Sequence, residues 1–182
     1  MKINEDNQTR KLIIEALLEL LKHKDYHDIT IARMVDEAGL GRRTFYRYFK
    51  TKDEVMRYTT KLLMNDFAKN LILNQADTLE SVTKSYFEFW ENYIDVLLLL
   101  NKARLLYFIE DNLIALFSDV AIQVGHVPSG LNKTEVNELY NQYKYEFAFK
   151  FAGFWKMTII WCTENPRKSP EEMSKLICEM LK

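Results

Sequence analysis

Between Leu40 and Lys52 the chain reads LGRRTFYRYFKTK, with Arg42, Arg43, Arg47, Lys50 and Lys52 and no acid. Guanidinium groups can grip a guanine edge or a phosphate through two parallel N–H donors. Ammonium groups take phosphate as point charges. The chemistry on offer is anion and base-edge recognition rather than bond making, although such a run also serves as a plain solvated face. The whole chain carries a net charge of −1, so any affinity for nucleic acid must be local. Catalytic patterns are missing. His23, His27 and His126 have neither metal-ligand nor triad spacing, and no glycine-rich phosphate loop occurs. Cys162 and Cys178 lack metal or redox spacing and fit a reducing compartment. The expectation is no enzyme, no metal and no cofactor.

The elements that must hold this run are helices. Only five Gly and three Pro interrupt 182 residues, and 48% of them are hydrophobic. A helix over 7–22 is expected from the one-sided stripe Leu12, Ile13, Ala16, Leu17, Leu20 and Leu21. A second, over 30–38, starts at Thr30 as N-cap and ends at Gly39, with Ile31, Met34, Val35 and Ala38 facing one way. A third follows over 42–48. Thr51 and Glu54 form a capping-box pattern for a fourth over 52–73, whose expected buried residues are Val55, Tyr58, Leu62, Leu63, Phe67 and Leu71. Small Ala38 lets two helices approach, Gly39 makes the turn, Leu40 plugs the gap, and Phe45 and Phe49 anchor the short helix. These are the requirements of a helix-turn-helix whose second helix enters a major groove.

Further on, Asp77 and Glu80 mark a helix over 78–92, followed by helices near 93–101 and 104–124. Pro128 and Gly130 mark a loop over Gly125–Leu131. From Asn132 to Thr163 one long helix is expected. Tyr143, Tyr145, Phe147, Phe149 and Phe151 alternate as in a strand, but Tyr143, Phe147, Phe151 and Trp155 also share a helical face, and no turn residue intervenes before Gly153. Ser169, Pro170, Glu171 and Glu172 announce a last helix over 170–181. No apolar stretch approaches the ~18–20 residues that span a bilayer, and no signal peptide is visible. A cytoplasmic location without membrane contact is expected.

The segment TIARMVDEAGLGRRTFYRYFKTKDEV closely resembles the DNA-binding signature of TetR-type (TetR/AcrR) regulators. The resemblance rests on Ala38-Gly39-Leu40, on Phe45-Tyr46-Arg47-Tyr48-Phe49 and on Thr51-Lys52-Asp53. Gly41 stands where the family usually has a capping Ser, and Arg43 where it often has Gly. The resemblance implies an all-α protein of about nine helices, with a DNA-binding domain over 1–52 and a regulatory and dimerisation domain over 53–182, the fourth helix connecting them. It implies a homodimer reading a palindromic double-stranded operator, with half-sites at least one helical turn (~34 Å) apart, and more often a repressor than an activator.

In that frame Arg42 and Arg43 reach bases or backbone, and Thr44 reaches phosphate or is merely exposed. Tyr46, Tyr48 and Lys52 reach phosphate, unless the two rings are core. Arg47 is peripheral, and Arg33 braces neighbouring backbone beside the DNA. Seventeen of the 24 aromatic residues follow residue 80. The resemblance turns that half into a holder for a small apolar or aromatic effector, with Phe87, Trp90, Tyr107, Phe108, Tyr143, Phe147 and Trp155 as lining candidates. An aromatic stripe at helical spacing is equally a simple core. Dimer contacts are expected from the last two helices, through Phe151, Phe154, Ile159, Met173, Ile177 and Met180, some of which must instead be buried within one subunit. The alternative function is a helical co-activator or partner module of the same fold that does not read DNA.

Overall fold

Local signals in the chain set where each helix begins and stops. The computed structural model describes residues 5–74, 76–112 and 133–180, and among these all regular structure is helical. Helix α1 (Glu5–Leu21) buries Ile13, Ala16, Leu17, Leu20 and Leu21, the face its apolar spacing selects. A single 3-10 turn (Tyr26–Asp28) leads to α2 (Ile31–Glu37), where Thr30 Oγ1 accepts the Arg33 N–H at 3.3 Å. Gly39 then adopts φ +64°, a left-handed conformation that costs other residues about 1–2 kcal/mol. The turn closes through the Leu40 N–H on the Val35 carbonyl (2.8 Å).

Helix α3 (Arg42–Tyr48) follows, then α4 (Lys52–Leu73). Thr51 Oγ1 accepts the Glu54 N–H (3.1 Å) as the capping pattern requires, but the Glu54 carboxylate reaches one residue further back, to the Lys50 N–H (2.7 Å). Leu62, expected inside α4's buried stripe, is 40% exposed. It lies with Ile14 and Tyr58 along an open groove between α1 and α4, while Leu63 and Met64 turn inward in its place.

Helix α5 (Leu79–Asn92) starts one residue later than the Asp77–Glu80 pattern suggests. Thr78 and Ser81 form the reciprocal cap instead, each hydroxyl taking the other's backbone N–H at 3.0 and 3.1 Å. Helix α6 (Ile94–Lys102) ends on Arg104, whose φ of +58° stands where glycine is usual. The next helix, α7, is described over 107–112. The loop expected over 125–131 and the start at Asn132 lie outside the described residues.

Helix α8 (Lys133–Thr163) runs through the aromatic alternation as one helix, and α9 (Pro170–Met180) opens on the expected box, Ser169 with Glu172. Helix α9 packs closely on α5. Thr83 and Ser174 share a hydrogen bond of 2.8 Å, and Ser174 also donates to the Glu80 carbonyl. The core is continuous. Ile13, Leu17, Met34, Phe45 and Val55 fill the N-terminal end, while Phe67, Tyr86, Phe87, Phe89, Trp90 and Trp161 fill the rest, with α4 contributing to both.

Candidate nucleic-acid interface

Phe45 is fully buried, and it fixes which way α3 faces. Its ring meets Phe49 at 6.2 Å, and Phe49 meets Tyr58 of α4 edge-on at 5.6 Å. With that face held, the rest of α3 points outward. Arg42 and Arg43 are exposed in its first turn, which carries no acid. Among the described residues neither guanidinium pairs with a carboxylate. Both sit on a helix start whose cap, Gly41, makes no side-chain bond, so no hydroxyl occupies the approach.

The other expected contacts divide by environment. Tyr46 is 56% exposed, its ring braced edge-on against Phe45 at 5.6 Å. Thr44 is half-buried. Tyr48 is half-buried too, and its hydroxyl accepts a bond from Arg47 Nη2 at 2.9 Å. Lys50 is exposed. Arg33 donates to the Asp28 carbonyl (3.0 Å), a bond within the protein.

Lys52 does something other than face solvent. Its ammonium donates to the carbonyls of Tyr26 (2.5 Å), Ile29 (3.0 Å) and His27 (3.2 Å), and lies 4.5 Å from the Tyr26 ring centre. An ammonium has three donors, and all three point into the turn before α2. Next to it Tyr26 donates to Asp53 (2.6 Å) and meets Phe108 edge-on. Burial, and then the Asp53 carboxylate, push the Tyr26 phenol well above its ordinary range, so it remains a donor. Together Lys52, Tyr26 and Asp53 fasten the start of α4 to the helix-turn-helix.

One cation was not singled out from the sequence. Arg10 of α1 lies 5.4 Å from the Tyr48 ring centre and 5.5 Å from that of Tyr58. It is 32 positions before Arg42 in the chain, so only the folding of α1 against α3 and α4 brings it to this surface.

The effector candidates do not form one described group. Phe87, Trp90 and Phe108 are buried and packed against other rings, and Trp155 donates its indole N–H to Glu110 (2.5 Å). Tyr107 is largely exposed, stacked on Phe108 at 4.3 Å. The side chains of Tyr143 and Phe147 lie outside the described residues, as does that of Phe151. Among the described residues the buried Trp90 indole N–H makes no full hydrogen bond, its ring lying edge-on to that of Tyr86 at 6.2 Å.

Of the dimer candidates, Met173 and Ile177 turn inward beneath α9, because its apolar face is spent on the body of the same subunit. Phe154 packs on Tyr86 at 4.5 Å, Ile159 is half-buried, and Met180 is exposed. Among the described residues the exposed large apolar side chains of α8 are different ones: Tyr145 (81%), Phe149 (82%) and Ile160 (48%). Among the described residues no helix is long and apolar enough to cross a membrane.

Residues 13–59, the unit just described, match the family model described as bacterial regulatory proteins, tetR family. Over 69 residues the chain is 33% identical to the HTH-type dhaKLM operon transcriptional activator DhaS of Lactococcus lactis subsp. lactis (strain IL1403), covering 38% of this chain and 35% of that protein. Over 178 residues it is 23% identical to the uncharacterized HTH-type transcriptional regulator YxbF of Bacillus subtilis (strain 168), covering 92% of this chain and 43% of that one. The chain spans less than half the length of either curated relative it matches. Its fold is similar to that of a TetR transcriptional regulator from Streptococcus agalactiae 2603V, at TM-score 0.62 and 20% identity over 98% of this chain and 96% of that one. It is also similar to the dihydroxyacetone kinase operon activator DhaS, at TM-score 0.55 and 17% identity over 95% and 93%.

Proposed function

We propose that this chain, which belongs with the tetR-type regulators by its N-terminal unit and its fold, is a sequence-specific DNA-binding transcriptional regulator acting as a homodimer. The observation that carries the reading is the first turn of α3. Two adjacent arginines stand there exposed and, among the described residues, without carboxylate partners, on a helix whose opposite face is locked inward by Phe45. Set in a major groove, each guanidinium offers a fork to a guanine O6/N7 pair, worth ~1–3 kcal/mol of discrimination against another base. Thr44, Tyr46, Tyr48, Arg47 and Lys50 surround that turn and supply backbone contacts.

Residues 1–52 form the reading unit and 53–182 the regulatory and dimerising part, with α4 between them. A second copy on α8 supplies the second half-site. The exposed run Tyr145, Phe149 and Ile160 supports that placement, as does Gly153. A Cβ added at Gly153 would meet nothing within 4 Å among the described residues, yet glycine inside a helix costs about 1 kcal/mol relative to alanine. A close-packed partner helix explains both. A small apolar or aromatic effector would act by favouring the dimer geometry that misfits the operator. Whether occupancy represses or activates depends on where the operator lies relative to the promoter. The relatives named DhaS are activators, whereas the family resemblance implies a repressor more often than an activator.

Selection of bound duplexes from random DNA at fixed salt tests the reading. A palindromic consensus is expected, and Arg42→Ala with Arg43→Ala should abolish it while leaving thermal unfolding unchanged. Weak, sequence-indifferent binding by the wild type would instead place the chain with helical partner modules.

A further inference from the structure

We infer that Phe108 of α7 is a positioning residue for DNA reading: its ring is a wedge that sets the angle of the helix-turn-helix unit against α4, and with it the separation of the two reading helices in a dimer. The inference rests on the dimeric DNA-binding reading above and adds a second attachment between the two halves of the chain, beside the continuous helix α4. Phe108 is 1% exposed. Its ring meets the Arg57 guanidinium of α4 at 5.2 Å and the Tyr26 ring edge-on at 6.4 Å. Tyr107 stacks on it from its own helix at 4.3 Å.

Both sides of this contact are anchored. On one side, α7 is strapped to α4 by the Arg57–Asp111 pair (3.3 Å) and by Asn112 Nδ2 donating to the buried Thr60 Oγ1 (3.0 Å). On the other, Tyr26 belongs to the turn from which α2 starts. Lys52 and Asp53 tie that turn to α4, and Arg33 of α2 donates to the Asp28 carbonyl within it (3.0 Å). One connecting helix leaves twist about its own axis to be fixed by something else, and an attachment to the side of that axis fixes it. A buried ring in a close-packed contact resists compression, so a shift of α7 moves the turn, and α2 and α3 with it. Glu110 of the same helix accepts the Trp155 indole N–H (2.5 Å). The wedge therefore links the angle of α3 to α8, the helix on which the second copy is placed.

The test uses the full chain and duplexes that carry the selected half-site twice, at the preferred separation and at one or two base pairs more or less. In Phe108→Ala the preference for the best separation over its neighbours should fall by about 5–10-fold, since the competent angle is then one of several populated. Salt dependence and base preference within a half-site should stay as in the wild type, and Phe108→Leu, which refills the space, should restore the preference. Tyr26→Leu should loosen it from the other side of the contact, and does so at a half-buried position if Phe108→Ala fails to fold. Tyr26→Phe lacks only the hydroxyl and should keep the preference; its loss there would overturn the wedge in favour of the Asp53 bond. In the free protein, Phe108→Ala should speed hydrogen exchange of the Asp28 and Ile29 amides, which close the turn, by about 10-fold, with α9 unchanged. A lower melting temperature with the preference and the exchange rates intact overturns the wedge, because Phe108 would then be only a packing residue. A wild type with no preferred separation overturns the two-half-site reading instead, and the exchange rates of the free protein then decide the wedge alone.

Discussion

At the scale of single residues, the same positive charge serves two ends in this protein, and geometry separates them. Arg42 and Arg43 have no internal acceptors among the described residues, while Lys52 has three. Replacing both arginines by lysine keeps the charge and removes the fork. Arg42→Lys with Arg43→Lys is therefore expected to retain the salt dependence of DNA binding but lose ~1–3 kcal/mol of discrimination at each contacted guanine. Competition between the consensus and single-base variants measures this. Unchanged discrimination would mean that sequence is read elsewhere.

At the scale of elements, the joints between helices carry the testable energetics. Lys52→Met keeps the stem and deletes the ammonium that ties α4 to the turn before α2. The carbonyls of Tyr26, His27 and Ile29 lose their donor, so the variant should melt lower, by about 1–3 kcal/mol in denaturant titrations. The salt slope of its DNA binding should not change, because that ammonium faces protein. A shallower slope would restore the phosphate role first expected of Lys52. Arg104 offers the opposite sign. Its left-handed φ of +58° costs a side chain roughly 1 kcal/mol that glycine does not pay, so Arg104→Gly should raise stability by about that amount in thermal unfolding.

At the scale of the whole molecule, the question is what covers α8. Phe149 is 82% exposed, and Gly153 one turn on leaves room for a neighbour. Phe149→Glu should leave the subunit folded, since that side chain is 82% exposed, and should convert the proposed dimer to monomer in sedimentation. Loss of one linked half-site should then weaken operator binding by roughly 10²-fold or more. A variant that stays dimeric would move the interface off this face. Helix α9 is the weaker candidate, because its apolar side and Ser174 are already committed to α5.

Helix boundaries, the turn at Gly39, the cap at Thr30 and the outward arginines of α3 were legible in the chain because each depends on neighbours within a few positions: a hydroxyl three residues from an N–H, a backbone angle only glycine takes easily, a stripe of apolar residues. The cap of α5 falls one residue later than the Asp77–Glu80 pattern suggests because Asp77 and Thr78 are both adequate caps, and Ser81 completes the reciprocal box with Thr78. Which face of an amphipathic helix meets its own subunit, and which meets something else, is not a local property. Met173 and Ile177 read as available until α5 closes over them, and Leu62 reads as core until α1 leaves it at a groove. Lys52 became a brace, and Arg10 joined the basic surface, only through contacts across 20 to 40 residues of chain. The sequence by itself determined the helices and the chemistry of the reading turn. The tertiary structure alone decided which charges remain outside, because a charge is free or spent according to acceptors brought close from distant parts of the chain.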